Sequence, residues 1–136
     1  LYAQTAAHLL AVHLLHHYAA EKIMLKPPPA LTTQQVRHIT DFVQAHLATE
    51  LSLEQLAQQV GFSPYHFARL FRRATGHSPH QFVLQQRIAR ARHLLRQTEL
   101  PLHQIALDSG FATQSHFTQV FRRATGFTPK AYRQQA

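Results

Sequence analysis

One run of residues occurs twice in this chain. Phe71–Gly76 and Phe121–Gly126 both read Phe-Arg-Arg-Ala-Thr-Gly, and the likeness extends upstream of each run. Leu53–Gly76 (LEQLAQQVGFSPYHFARLFRRATG) and Leu102–Gly126 (LHQIALDSGFATQSHFTQVFRRATG) share Gly-Phe at 61–62 and 110–111 and His-Phe at 66–67 and 116–117. The second copy carries one extra residue between Phe111 and His116, and each copy is followed by a Ser/Thr-Pro pair, Ser78-Pro79 and Thr128-Pro129. A repeat this close demands a fold with two copies of one structural unit. Two copies are too few for a solenoid, which needs at least ~3.

Between the copies lies Ser78–Gln97 (SPHQFVLQQRIARARHLLRQ), which reads as one uninterrupted helix. Ser78 suits the N-cap, Pro79 suits the first helical position, and no glycine breaks the run. Leu84, Ile88, Ala91 and Leu95 recur at helical spacing and predict a buried stripe, while Arg90, Arg92 and Arg96 leave much of the remainder cationic. At ~1.5 Å per residue such a helix is about 27 Å long. That length is comparable with the ~34 Å between successive major-groove faces on one side of DNA.

Each copy has the same internal grammar. Ser52-x-x-Gln55 predicts a capping box, with Leu53, Leu56, Ala57 and Val60 inward and Gly61 ending the helix in a left-handed turn. Ser63 or Pro64 starts the next helix, whose Phe67, Leu70, Phe71 and Ala74 form an amphipathic stripe. Phe117, Val120, Phe121 and Ala124 repeat it. Upstream, Thr32-x-x-Gln35 opens a helix that buries Val36, Ile39, Val43 and Leu47. A short helix, a glycine turn and a longer helix with a basic outer face make a helix-turn-helix, here twice.

Residues 1–19 (LYAQTAAHLLAVHLLHHYA) predict a further apolar helix, with Leu10, Leu14 and Tyr18 on one stripe. So wide a stripe calls for a partner, an interdomain or homodimer contact in preference to a membrane surface, because its polar face carries histidine rather than lysine or arginine. His13 and His17 stand at i,i+4, but no carboxylate or cysteine lies at ligand spacing beside them, so they read as packed or solvated and no metal site is expected. Lys26 and the three prolines that follow read as a stiff linker. The first residue is leucine, so the chain is expected to be part of a longer protein. The expected organisation is residues 1–30 as the end of an upstream regulatory region and 31–136 as the double helix-turn-helix domain, with subdomains at about 31–77 and 98–136 and the linker helix at about 79–97.

Charge points to the partner. The net charge is +8, and residues up to Glu50 hold three basic and three acidic side chains, so the whole excess lies on the repeated half. A polyanion, by default nucleic acid, fits that asymmetry; a solvated basic surface is the alternative that composition leaves open. There is no cysteine, which excludes disulfides and thiolate metal sites and agrees with a cytoplasmic location. No apolar run reaches the ~20 residues of a membrane span. Carboxylates are scattered and no phosphate-binding glycine loop occurs, so no catalytic residue, metal or cofactor is expected and the chain does not read as an enzyme.

The two copies match closely where they face inward and diverge where they face outward. Tyr65 becomes Ser115, Ala68 becomes Thr118, and Arg69 becomes Gln119. A core needs one shape in both units, whereas a reading face needs different side chains if the units meet different bases; drift on a free surface is the competing explanation. Arg and Gln match guanine and adenine edges, and Ala or a threonine methyl packs on the thymine methyl. Arg72, Arg73, Arg122 and Arg123, nearer the C-terminal part of each helix, suit phosphates. His66 and His116 flank the buried stripe and suit packing or a backbone or phosphate contact.

The segments LSLEQLAQQVGFSPYHFARLFRRATGHSP, RIARARHLL, IALDSGF and QSHFTQVFRRATGFTPKAYR resemble the DNA-binding domain of AraC/XylS-type transcription regulators, over roughly the last three-quarters of the chain. The resemblance implies an all-α fold of seven helices, with two helix-turn-helix subdomains joined by a linker helix and an extra helix preceding them. It implies binding to double-stranded promoter DNA in adjacent major grooves, with Tyr65, Ala68 and Arg69 near bases in the first unit and Gln114, Ser115, Thr118 and Gln119 in the second. Two other classes stay open at this stage. One is an interaction module whose N-terminal helix dimerises or docks on RNA polymerase. The other is the DNA-finding part of a repair enzyme, although without cysteine this chain could not itself accept an alkyl group.

Overall fold

The computed structural model describes residues 29–135, so the helix expected over 1–19, most of the proline linker, and His13 and His17 lie outside the described residues. Hydroxyl side chains start most of the helices. Thr32 Oγ1 accepts from the Gln35 N–H at 3.1 Å while Gln35 Oε1 accepts from the Thr32 N–H at 2.9 Å, and this reciprocal pair opens α1 (Thr33–Ala45). Ser52 and Gln55 open α2 (Leu53–Val60) in the same way, and Ser78 with Gln81 opens α4 (Pro79–Gln97). Ser63 caps α3 (Pro64–Thr75) through the His66 N–H. The second copy supplies α5 (Leu102–Asp108), α6 (Gln114–Thr125) and α7 (Pro129–Gln135), with Thr113 capping α6. Pro101 stands where the first copy has Ser52, and α5 has no side-chain cap. The described residues thus form seven helices and no strand, the all-α double helix-turn-helix that the repeat and the resemblance imply.

Two hydrophobic cores result, both fed by α4. The first gathers Leu31, Ile39, Val43, Leu47, Leu56, Ala57, Phe67, Leu70, Phe71 and Val83. The second gathers Ile88, Ala91 and Leu95 with Ile105, Ala106, Phe111, Phe117 and Phe121. Aromatic rings run through each. Phe71 meets Phe67 at 5.6 Å and Phe82 at 5.2 Å between centroids, and Phe121 meets Phe117 at 5.6 Å and Tyr132 at 5.2 Å. Phe82 and Tyr132 hold the same place after the two Ser/Thr-Pro starts, so each unit closes its core with an aromatic edge on its last phenylalanine, a geometry rings prefer.

Several inward assignments need correction. On α4 Leu84 is only half-buried, and Pro79 and Val83 are buried instead. With 3.6 residues per turn, Pro79 and Val83 lie about a third of a turn around the helix from Ile88, Ala91 and Leu95. One helix therefore buries two stripes, one for each core, which a single periodicity cannot describe. Leu53 is 39% exposed because it begins α2 at the rim of the first unit. Ala74 and Ala124 are exposed because the last turns of α3 and α6 run past their cores to the left-handed caps Gly76 and Gly126. Ser109 is fully buried with no hydrogen-bond partner for its hydroxyl, at the place Val60 takes in the first unit.

Arg133 of α7 ties off the spine. Its guanidinium donates to the carbonyls of Leu95 at 3.3 Å, Thr98 at 3.3 Å and Leu100 at 2.8 Å, satisfying acceptors at the C-terminal end of α4 where the helix dipole favours a cation.

Truncating Phe71→Ala or Phe121→Ala should each lower stability by roughly 3–5 kcal/mol, as buried aromatics do. Hydrogen exchange should show protection lost mainly in the unit that carries the change. Ser109→Ala removes an unsatisfied buried hydroxyl and should be neutral or raise stability by about 1 kcal/mol in urea denaturation. A clear loss would mean that the hydroxyl has a partner.

Candidate nucleic-acid interface

The outer face of α3 is set by its neighbours in sequence. Phe67, Leu70 and Phe71 point into the core, so Tyr65, Arg69 and Arg72, one turn apart, are turned to solvent. Tyr65 is 74% exposed, and the Arg69 guanidinium lies over its ring, 5.8 Å from the centroid, in a cation–π contact. On α6 the same geometry exposes Ser115, Gln119 and Arg122, with Gln114 exposed at the first position. Ala68 and Thr118 are half-buried, on the flank of this face. Arg73 is exposed, and its Nη1 donates to the Pro29 carbonyl at 3.4 Å, so it also holds the entering chain. Arg123 is exposed beside Arg92 and His77 in a groove on the linker helix.

The two helices border one cleft of about 810 Å³. Its lining comes from the segment 48–53 and Leu56 of the first unit, from Pro79, Val83 and Arg87 of α4, and from Gly110 and Phe111 of the second unit, with Ala68 of α3 and His116 of α6. His66 and His116 are exposed and place their rings edge-on against Phe62 at 5.2 Å and Phe111 at 5.7 Å, the packing contact among the roles expected of them. Their backbone N–H groups take the caps from Ser63 and Thr113.

Sequence reading missed Arg87. It is half-buried in the middle of α4, its Nη2 donates to the Thr49 carbonyl at 2.9 Å, and its Nε is buried without an acceptor. Burial pushes its guanidinium below its ordinary pKa. The only signal in the sequence was an arginine inside the spine and outside the repeat. Among the described residues no group of three or more His, Asp or Glu is arranged to hold a metal, and no helix is long and apolar enough to cross a membrane.

The family described as "Helix-turn-helix domain" matches residues 32–135. A transcriptional regulator from Chromobacterium violaceum, solved as one of the AraC-type DNA-binding domain-containing proteins, superposes with a TM-score of 0.71 at 32% identity, over 75% of this chain and 91% of that one. The chain belongs to the AraC-type helix-turn-helix family. This AraC-type domain is also 40% identical to Regulatory protein PocR of Salmonella typhimurium over 94 residues, which is 69% of this chain and 31% of PocR. It therefore spans less than a third of that relative's length. The DNA-binding domain of the global transcriptional factor AdpA, solved in complex with a target DNA, matches with a TM-score of 0.71 at 30% identity, over 74% of this chain and 91% of that one.

The N-caps Ser63 and Thr113 fix the first turns of α3 and α6. Ser63→Ala and Thr113→Ala should each reduce stability by about 1 kcal/mol in denaturant titrations, while Ser63→Asp should hold it.

Proposed function

We propose that this AraC-type domain is the sequence-reading half of a transcription regulator, with α3 and α6 entering adjacent major-groove segments of promoter DNA. The observation that carries the reading is the pattern on the repeat: closely matched buried faces and unlike outer faces, on two helices that each reach one cleft, through Ala68 and His116. Tyr65, Ala68 and Arg69 read bases for the first unit, and Gln114, Ser115, Thr118 and Gln119 read them for the second. Arg72, Arg73, Arg122 and Arg123 hold phosphates on either side. Arg69 with guanine O6 and N7, and Gln119 with adenine N6 and N7, are the bidentate pairs of this reading. AdpA's domain, in its complex with DNA, lends support by its similarity.

The same proposal assigns residues 1–30 to the end of an upstream regulatory region, through which the protein meets a second copy or RNA polymerase, in the cytoplasm. The chemistry is recognition rather than catalysis.

Two side chains separate reading from holding. Arg69→Ala should cost ~1–3 kcal/mol on the preferred site and relax preference at one or two positions. Arg72→Ala should weaken binding to every sequence alike and lower the slope of log affinity against log salt by about 1. Because Gln119 is uncharged, Gln119→Ala should alter base preference with the slope unchanged. Selection from randomised duplexes, followed by salt titration on the selected and a scrambled site, measures both quantities. Equal losses from Arg69→Ala and Arg72→Ala on every sequence would reduce the first unit to an electrostatic clamp.

A further inference from the structure

Gly61 and Gly110 hold the same place in the two repeats, each just after the first helix of a helix-turn-helix, and both have positive φ, +75° and +91°. Their surroundings are unlike. A Cβ added at Gly61 would meet nothing within 4 Å, whereas one at Gly110 would fall on the Leu47 carbonyl oxygen and 2.5 Å from Arg87 Nε. Leu47 follows α1 and belongs to the first unit, Gly110 belongs to the second, and Arg87 comes from the middle of the spine. Three parts of the molecule thus meet at a point with no room for a side chain.

The same place is tied by hydrogen bonds. Arg87 Nη2 donates to the Thr49 carbonyl at 2.9 Å, joining the spine to the loop after α1. One position earlier on α4, the Gln86 side chain hydrogen-bonds to Gln44 of α1. The more extensive helix packing lies within each unit and against α4. With two separate cores strung on one helix, something must fix the angle between them, and no shared core does so. The half-buried guanidinium, its Nε fully buried and its Nη2 held by backbone, is set apart from the exposed arginines of α3 and α6.

We propose that Gly110, Arg87 and the Leu47–Thr49 backbone form a latch that seats the second unit against the first, and so sets the distance between the two stretches of DNA the protein reads. The spacing claim rests on the proposed function; the seating does not.

The absence of cysteine from the sequence gives a clean test. Glu54→Cys and His103→Cys place one spin label on an exposed position in each unit. Pulsed electron resonance on the DNA-free chain should give one narrow distance distribution. Arg87→Met keeps the apolar stem and loses the donor, and it should broaden or shift that distribution with helical content retained. Gly110→Ala should do the same, and Gly61→Ala, with the same backbone strain but open space, should not. Should Arg87→Met fail to fold, Arg87→Lys keeps charge and stem without the fork and should still broaden it. Identical narrow distributions in the folded variants would overturn the latch.

The second arm uses the duplex selected by the unmodified chain and the same duplex with base pairs inserted between its two halves. The unmodified chain should lose about tenfold or more on insertion, roughly 1.4 kcal/mol. Arg87→Met should narrow that difference to about threefold or less, with an unchanged salt slope. A uniform loss on both duplexes with a slope lowered by about 1 would make Arg87 a phosphate contact instead. Indifference of the unmodified chain to insertion would sink the spacing claim through failure of the two-head reading, whatever the label distances show.

Discussion

Everything in this molecule depends on α4 burying two different sides of itself. A unit of ~50 residues covers only about 60% of its chain's surface on folding and is marginal alone. Val83 completes the first core, and Ile88, Ala91 and Leu95 complete the second. Each such side chain is worth roughly 1.5–3 kcal/mol when buried, apart from the smaller alanine. The helix is therefore both a structural wall of each unit and the rod between them. Arg133 finishes the rod by satisfying carbonyls around its C-terminal end, so the second unit grips the spine by polar contacts as well as by packing.

With the cores spent inward, the outer faces of α3 and α6 are free to differ. The residues that must match do match: Phe67 with Phe117, Phe71 with Phe121, Gly76 with Gly126. Those facing solvent are Tyr65, Arg69 and Arg72 on one helix and Ser115, Gln119 and Arg122 on the other. The arginine pairs toward the C-terminal end, Arg72-Arg73 and Arg122-Arg123, are shared, which fits contacts made to a uniform backbone there and others made to a changing sequence. The Tyr65–Arg69 stack has no counterpart at Ser115 and Gln119, so the first unit carries a bulkier outer face than the second.

Local chemistry was legible in the sequence. The capping boxes at Thr32 and Ser52, the N-cap at Ser78, the left-handed turn at Gly61, and the phenylalanine stripes all depend on residues within a few positions of one another, and the structure places them as the spacing predicts. Misreadings came where the third dimension decides. Leu84 and Val83 are adjacent, and only the position of the first unit tells which is buried. Ala74 and Ala124 continue a perfect stripe, yet the core stops short of them. Arg87 and Gly110 are 23 positions apart, and nothing local marks their meeting with Leu47. Ser109 is a fully buried hydroxyl that no local pattern marks.

The account's central claim is that two unlike helices read one duplex from a single side, and guanine-N7 methylation interference on the selected site tests it most directly. Two clusters of interfering guanines, centred about ten base pairs apart and facing the same side of the duplex, are the predicted result. A single cluster, or weak interference spread evenly along the site, would contradict it.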